Sequence, residues 1–147
     1  MKKNLLETAL ILCSLAWVLV LLPNCGGSDP NPQEERLNEL TATWSVNSVV
    51  NDGSDVTNQY TGFSLTITGN KTYSTLNGGN PWPANGTFDF VNETTTDRVL
   101  RDDGVTLQIR SITASSLELV FSVTSVRGQS AGAEGITGDF TFNLQKQ

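Results

Sequence analysis

The sequence predicts an all-β protein, an eight-stranded antiparallel up-and-down barrel, with a β-sandwich as the alternative. Three observations point there. From about Thr41 to Leu144 apolar and polar residues alternate with period two, which is the pattern of strands that bury one face. Most of the intervening segments are short and rich in Gly, Asn, Asp and Ser, so consecutive strands must turn back as antiparallel neighbours. Ahead of these strands only Gln33 to Leu40, short and charged, reads as one or two helical turns.

The strands follow in order. Trp44, Val46 and Val50 share a parity, as do Phe63, Leu65 and Ile67, whose opposite face is Ser64, Thr66 and Thr68. Lys71 to Leu76 is a weaker strand and places Tyr73 on the inward face. Phe88 and Phe90 come next, then the weaker Arg98 to Arg101, then Val105, Leu107 and Ile109 against Thr106, Gln108 and Arg110. Leu117, Leu119, Phe121 and Val123, then Phe140, Phe142 and Leu144, complete eight strands. Turns are read at Gly69-Asn70, 92–97, Asp102-Asp103-Gly104 and 113–116, with Asn47 to Gly62 as the longest connection. A meander with one apolar face must close into a barrel or fold over to bury it. The Trp on the first strand and the hairpin-like links favour closure over an immunoglobulin-type sandwich.

Composition excludes several functions. Of 147 residues, 9 are Lys or Arg and 15 are Asp or Glu, and without residues 1–24 the balance is 7 against 14. Nucleic acid is not an expected partner, because phosphate binding needs a basic face. Histidine is absent, so Ser-His-Asp and Cys-His catalysis and histidine-bearing zinc sites are unavailable. No catalytic residue, metal or cofactor is expected.

The start of the chain reads as an address. Met1-Lys2-Lys3 is a short basic region, and Ala9 to Leu22 is apolar apart from Ser14. That run is too short to span a bilayer and matches a secretory signal over residues 1–24. Leu22-Pro23-Asn24-Cys25 resembles the lipobox of bacterial lipoproteins, with Leu22 in the third position before the cysteine and Pro23 and Asn24 in place of small residues. The resemblance implies that Cys25 is acylated, becomes the new N-terminus and anchors the chain in a lipid bilayer. Gly26 after the cysteine fits outer-membrane sorting by the same resemblance, on either face. Gly26 to Glu35 cannot build a core and reads as a tether, so residues 25–39 precede a barrel domain over 40–147. Cys13 would leave with the signal and Cys25 would carry lipid, so no disulfide is expected.

The barrel domain resembles the lipocalin-like domains of small Bacteroidota-type lipoproteins. Leu40-Thr41-Ala42-Thr43-Trp44 is similar to their G-x-W first-strand signature, with Ala42 in the glycine position. Val56 to Phe63, Asn77 to Phe88 and the Arg101-Asp102-Asp103-Gly104 turn add to the likeness. Lipocalins often set an Arg from the last strand against the first-strand Trp; here Lys146 is the nearest basic residue.

Three aromatics are candidate ligand contacts. Trp82 sits between Pro81 and Pro83 in a Gly/Asn-rich loop, a stiff mount for a ring that either stacks on a ligand or plugs the barrel. Tyr60 lies in the longest connection, which could lid the barrel mouth, and Tyr73 faces inward beneath. The inward residues are bulky, so a mostly packed interior is expected, with at most a shallow pocket where Tyr60 and Trp82 meet.

The expected function is a non-enzymatic binding or interaction module at the cell envelope, its partner a small apolar molecule, a glycan or an envelope protein. Alternatives are a carrier of a small hydrophobic ligand and, less favoured, a carboxylate-dependent hydrolase drawing on Asp89, Glu93, Asp97 or Glu118. Asp52-Gly53-Ser54-Asp55 and Asp102-Asp103-Gly104 lack the length and glutamate of a calcium loop and read as turns, as do the N-x-[ST] matches at Asn70, Asn85 and Asn92. Arg98, Arg101, Arg110 and Arg127 are scattered among acids and suggest no anion clamp. Arg127 to Gly138 reads as a glycine-rich linker.

Overall fold

The computed structural model describes residues 31–124 and 137–147. The expected signal, Cys25, the first part of the tether and most of the glycine-rich linker lie outside them. Within them a helix, α1 (Pro32–Leu40), leads into strands β1 (Ala42–Asn51), β2 (Ser54–Asp55), β3 (Ser64–Ile67), β4 (Thr72–Leu76), β5 (Asn85–Phe90), β6 (Arg98–Arg101), β7 (Thr106–Ile112), β8 (Ser116–Val123) and β9 (Gly138–Lys146). All pairings are antiparallel, in the order β1-β3-β4-β5-β6-β7-β8-β9, and β9 pairs again with β1. The sheet is therefore a closed eight-stranded barrel, not a sandwich. The ninth strand, β2, only extends the hairpin at the end of β1, with Val50 opposite Asp55.

β1 corrects the expected parity. Trp44 is buried as predicted, but the next fully buried residue is Val49, while Val46 and Val50 are half-buried. A β-bulge between Val46 and Ser48 inserts Asn47 as an unpaired residue against β9, and one extra residue flips every later side chain to the other face. The same bulge explains why 47–62 is not one long connection. β1 runs on to Asn51 and turns through Asp52 and Gly53, both at positive φ (47° and 79°), the backbone of a two-residue hairpin turn. The remainder holds a single 3-10 turn, Thr57–Tyr60.

α1 begins inside the segment read as tether, because Asn31 caps it by accepting the Gln33 N–H at 3.1 Å and Pro32 opens its first turn. It closes one end of the barrel. Leu40 joins the core, its carbonyl accepts the Trp44 indole N–H at 2.9 Å, and the Gln33 amide donates to the carbonyls of Asn92 and Thr95 in the β5–β6 connection. The Lys146 ammonium lies 5.7 Å from the centre of the Trp44 ring, a cation over an aromatic face. Among the described residues no helix is long and apolar enough to cross a membrane.

If the bulge sets the face of β1, Val49→Ala destabilises by about 2 kcal/mol and Val50→Ala by about 1 kcal/mol or less. Urea unfolding of the two variants checks the order; equal losses would contradict the assignment.

Candidate functional site

Strand direction places three described segments at the end of the barrel remote from α1: the β1–β3 segment with Tyr60, the β4–β5 loop with Trp82, and the β6–β7 turn. Two of these, the β4–β5 loop and the β6–β7 turn, converge on a residue that the sequence reading passed over. Arg101 is 2% exposed. It follows Val99 by two residues on β6, so it shares the inward parity, and that parity was the signal available.

A buried guanidinium must satisfy its charge and its donors. Arg101 Nε donates to Asp103 Oδ1 at 3.0 Å, Nη2 donates to Asp103 Oδ2, and Nη1 donates to the Pro81 carbonyl at 3.0 Å. Its Cζ lies 5.0 Å from the Trp82 ring centre, 5.8 Å from Phe121 and 6.0 Å from Tyr73. The fork grips the adjacent turn while the third bond fixes the loop that carries Trp82. Burial alone would raise the Asp103 carboxyl; the Arg101 hydrogen bonds and the Val105 N–H outweigh it and hold the group below its ordinary value.

Trp82 is folded inward and 4% exposed. Its ring lies 5.3 Å from Phe121, 5.7 Å from Phe142, 5.8 Å from Phe63 and 6.2 Å from Tyr73. Tyr60 is also buried, 5.0 Å from Phe142 and 6.4 Å from Phe63. Tyr60 and Trp82 thus join through Phe63 and Phe142, and together these rings fill the barrel mouth. Beneath them remains a cavity of ≈ 20 Å³ bordered by Leu65, Tyr73, Trp82, Arg101, Leu107 and Leu119. That is room for about one water molecule.

Two polar atoms in this layer have no hydrogen-bond partner, Trp82 Nε1 and the Tyr73 hydroxyl. The hydroxyl stands beside the Asp102 carboxylate over Gly86, where an added Cβ would come within 2.6 Å of both. Burial pushes the Tyr73 phenol up to about 12, opposed by the Arg101 charge and aided by Asp102 and Asp103. Burial also raises Tyr60.

The remaining candidates are dispersed. Asp89 bonds Lys71 at 2.6 Å, which holds its carboxyl below the ordinary value, and Glu118 accepts from Arg110 at 3.0 Å on a different part of the outer wall. Glu93 and Asp97 lie in the β5–β6 connection near α1. Asp55 accepts the Thr57 N–H and Asn92 accepts from Thr94 and Thr95 as turn-forming bonds, while Asp52 accepts the Asp139 N–H and ties its turn to β9. Among the described residues no three His, Cys, Asp or Glu side chains converge as a metal cluster. Comparison of the chain with protein-family models, curated proteins and solved structures returns no match.

The chain has two tyrosines, and both phenols are held neutral above their ordinary value of 10.0. Below that pH neither the folded nor the unfolded chain ionises them. Above it the unfolded chain gains by ionising while the folded one does not, so stability falls as pH rises from 10 towards about 12. Phenolate absorbance of the folded protein should therefore show no step near pH 10, and its rise should accompany unfolding. A reversible step near the ordinary value without unfolding would contradict the burial argument.

Proposed function

We propose that this chain is a lipid-anchored protein of the bacterial outer membrane, held through an acylated Cys25, whose barrel is a non-enzymatic binding and interaction module. The observation that supports the reading is the filled interior. A cavity of ≈ 20 Å³ is more than tenfold below the several hundred cubic ångströms of an ordinary ligand pocket, so recognition falls to the loops and the outer wall. The carrier reading is disfavoured for the same reason. The hydrolase reading is disfavoured because Asp89 and Glu118 are each already engaged by a cation.

Labelling cells with a radioactive fatty acid tests the anchor. Label should enter the wild-type protein and be lost in Cys25→Ala; equal labelling, or none in either, would overturn the anchoring. Titration with a fluorescent fatty-acid analogue separates the module from the carrier. No saturable binding is expected, and a stoichiometric site of about micromolar affinity would restore the carrier reading.

A further inference from the structure

The outer wall carries a built feature that neither the anchor nor the filled mouth uses. β1 and β7 are each bulged, at Asn47 and at Arg110. A bulge places two successive side chains on one face. Asn47 and Ser48, and likewise Arg110 and Ser111, accordingly turn outward together between buried or half-buried neighbours. The two bulges stand at the same height. The pairings Ser48 with Asn143, Asn143 with Glu118, and Glu118 with Ser111 make one continuous row across β1, β9, β8 and β7. Strand spacing gives that row a length of about 14 Å. The wall is dented along it into a groove of ≈ 310 Å³, to which Gln145 and Asn47 contribute at one flank.

The chemistry of the groove is specific. Its one carboxylate, Glu118, is neutralised and fixed by Arg110 at 3.0 Å, and Asn143 Nδ2 donates to Ser48 Oγ at 3.0 Å. The side chains of Asn47, Ser111 and Gln145 are exposed and have no hydrogen-bond partner among the described residues. The row therefore offers amide and hydroxyl groups that both donate and accept, with charges that cancel. A neutral row does not select phosphate or a cation. Extended peptides add to a free sheet edge, and every strand of this wall is paired on both sides. A ligand dense in hydroxyls, each a donor and an acceptor, matches the groove on both counts. We propose that the β1–β9–β8–β7 groove binds a neutral glycan segment along the row from Ser48 to Ser111, held by hydrogen bonds rather than by stacking.

The proposal deepens the reading of the chain as a binding module and needs neither the anchor nor the barrel mouth. Its test uses the full-length protein in detergent, titrated calorimetrically with maltohexaose, cellohexaose and chitohexaose. At least one should bind saturably with a Kd of about a millimolar or tighter. Removal of one or two hydrogen bonds should weaken it about tenfold in Asn143→Leu and in Ser111→Leu. Ser111 is exposed, so its replacement tests the groove without touching the core, and Ser74→Ala on the far wall should bind as wild type. No saturable binding by any of the three up to about 10 mM, binding indifferent to both groove variants, or binding lost instead on Trp82→Phe would each overturn the groove. Fatty-acid labelling at Cys25 that persists in such a case would show that the anchored-module reading had not failed with it.

Discussion

Everything in this fold follows from the need of one strand to be paired along both edges. Consecutive antiparallel strands hide an apolar face only if the sheet curls, and a curled sheet leaves two raw edges unless its first and last strands meet. β1 supplies the closure. One edge pairs with β9 from Trp44 to Asn51, and the other pairs first with β3 and then, at its far end, with the short β2. That demand makes β1 ten residues long, twice the length of β4. A strand that must follow a closed, twisted wall over that length bends, and the bulge at Asn47 is where it does so.

The cost of the bulge is legibility. Period two identified all eight barrel strands, and most of the residues it placed inside are buried, among them Trp44, Phe63, Leu65, Tyr73, Phe88, Leu119, Phe121 and Phe142. It failed where local register is not set by the local sequence. Val49 and Val50 are the same residue type, so nothing in the chain says which one faces the core until β9 fixes the pairing. β2 was missed because two exposed residues carry no pattern at all. Arg101 was passed over for a different reason. A charged residue on an inward parity looks like an exception, and only the neighbouring turn shows that Asp103 and Pro81 are placed to receive it.

That buried arginine and the filled mouth belong to one arrangement. Trp82 is mounted between two prolines, which restrict the loop but do not decide whether it opens outward or inward. Inward placement adds a large apolar surface to the core, and the Arg101 bond to the Pro81 carbonyl fixes the loop there. The indole N–H is left without a partner, a penalty of about 1–3 kcal/mol, comparable to what burial of one large side chain returns. The exchange is favourable only because Phe63, Phe121 and Phe142 surround the ring on several sides. A barrel with no cysteine between Asn31 and Gln147 has reason to accept it, since close packing is the principal means left to hold such a domain together.

A filled barrel inverts the usual division of labour in this architecture. Where the interior is hollow, the inward residues select a ligand and the outer wall has only to be soluble. Here the inward residues are committed to packing, so any selectivity must be written on surfaces that the strand pattern leaves free. Bulges are suited to that role because each adds a side chain to the wall while the strand still supplies an apolar residue to the core beyond it. At Asn47 and at Arg110 each adds one outward polar side chain, while Val49 beyond the first and Ile109 before the second lie inside. Two such insertions at one height, in strands three places apart, border the groove and put a row of hydrogen-bonding groups along its floor. The irregularity that makes β1 hard to read in sequence is thus one of the two that border the groove on the outer wall.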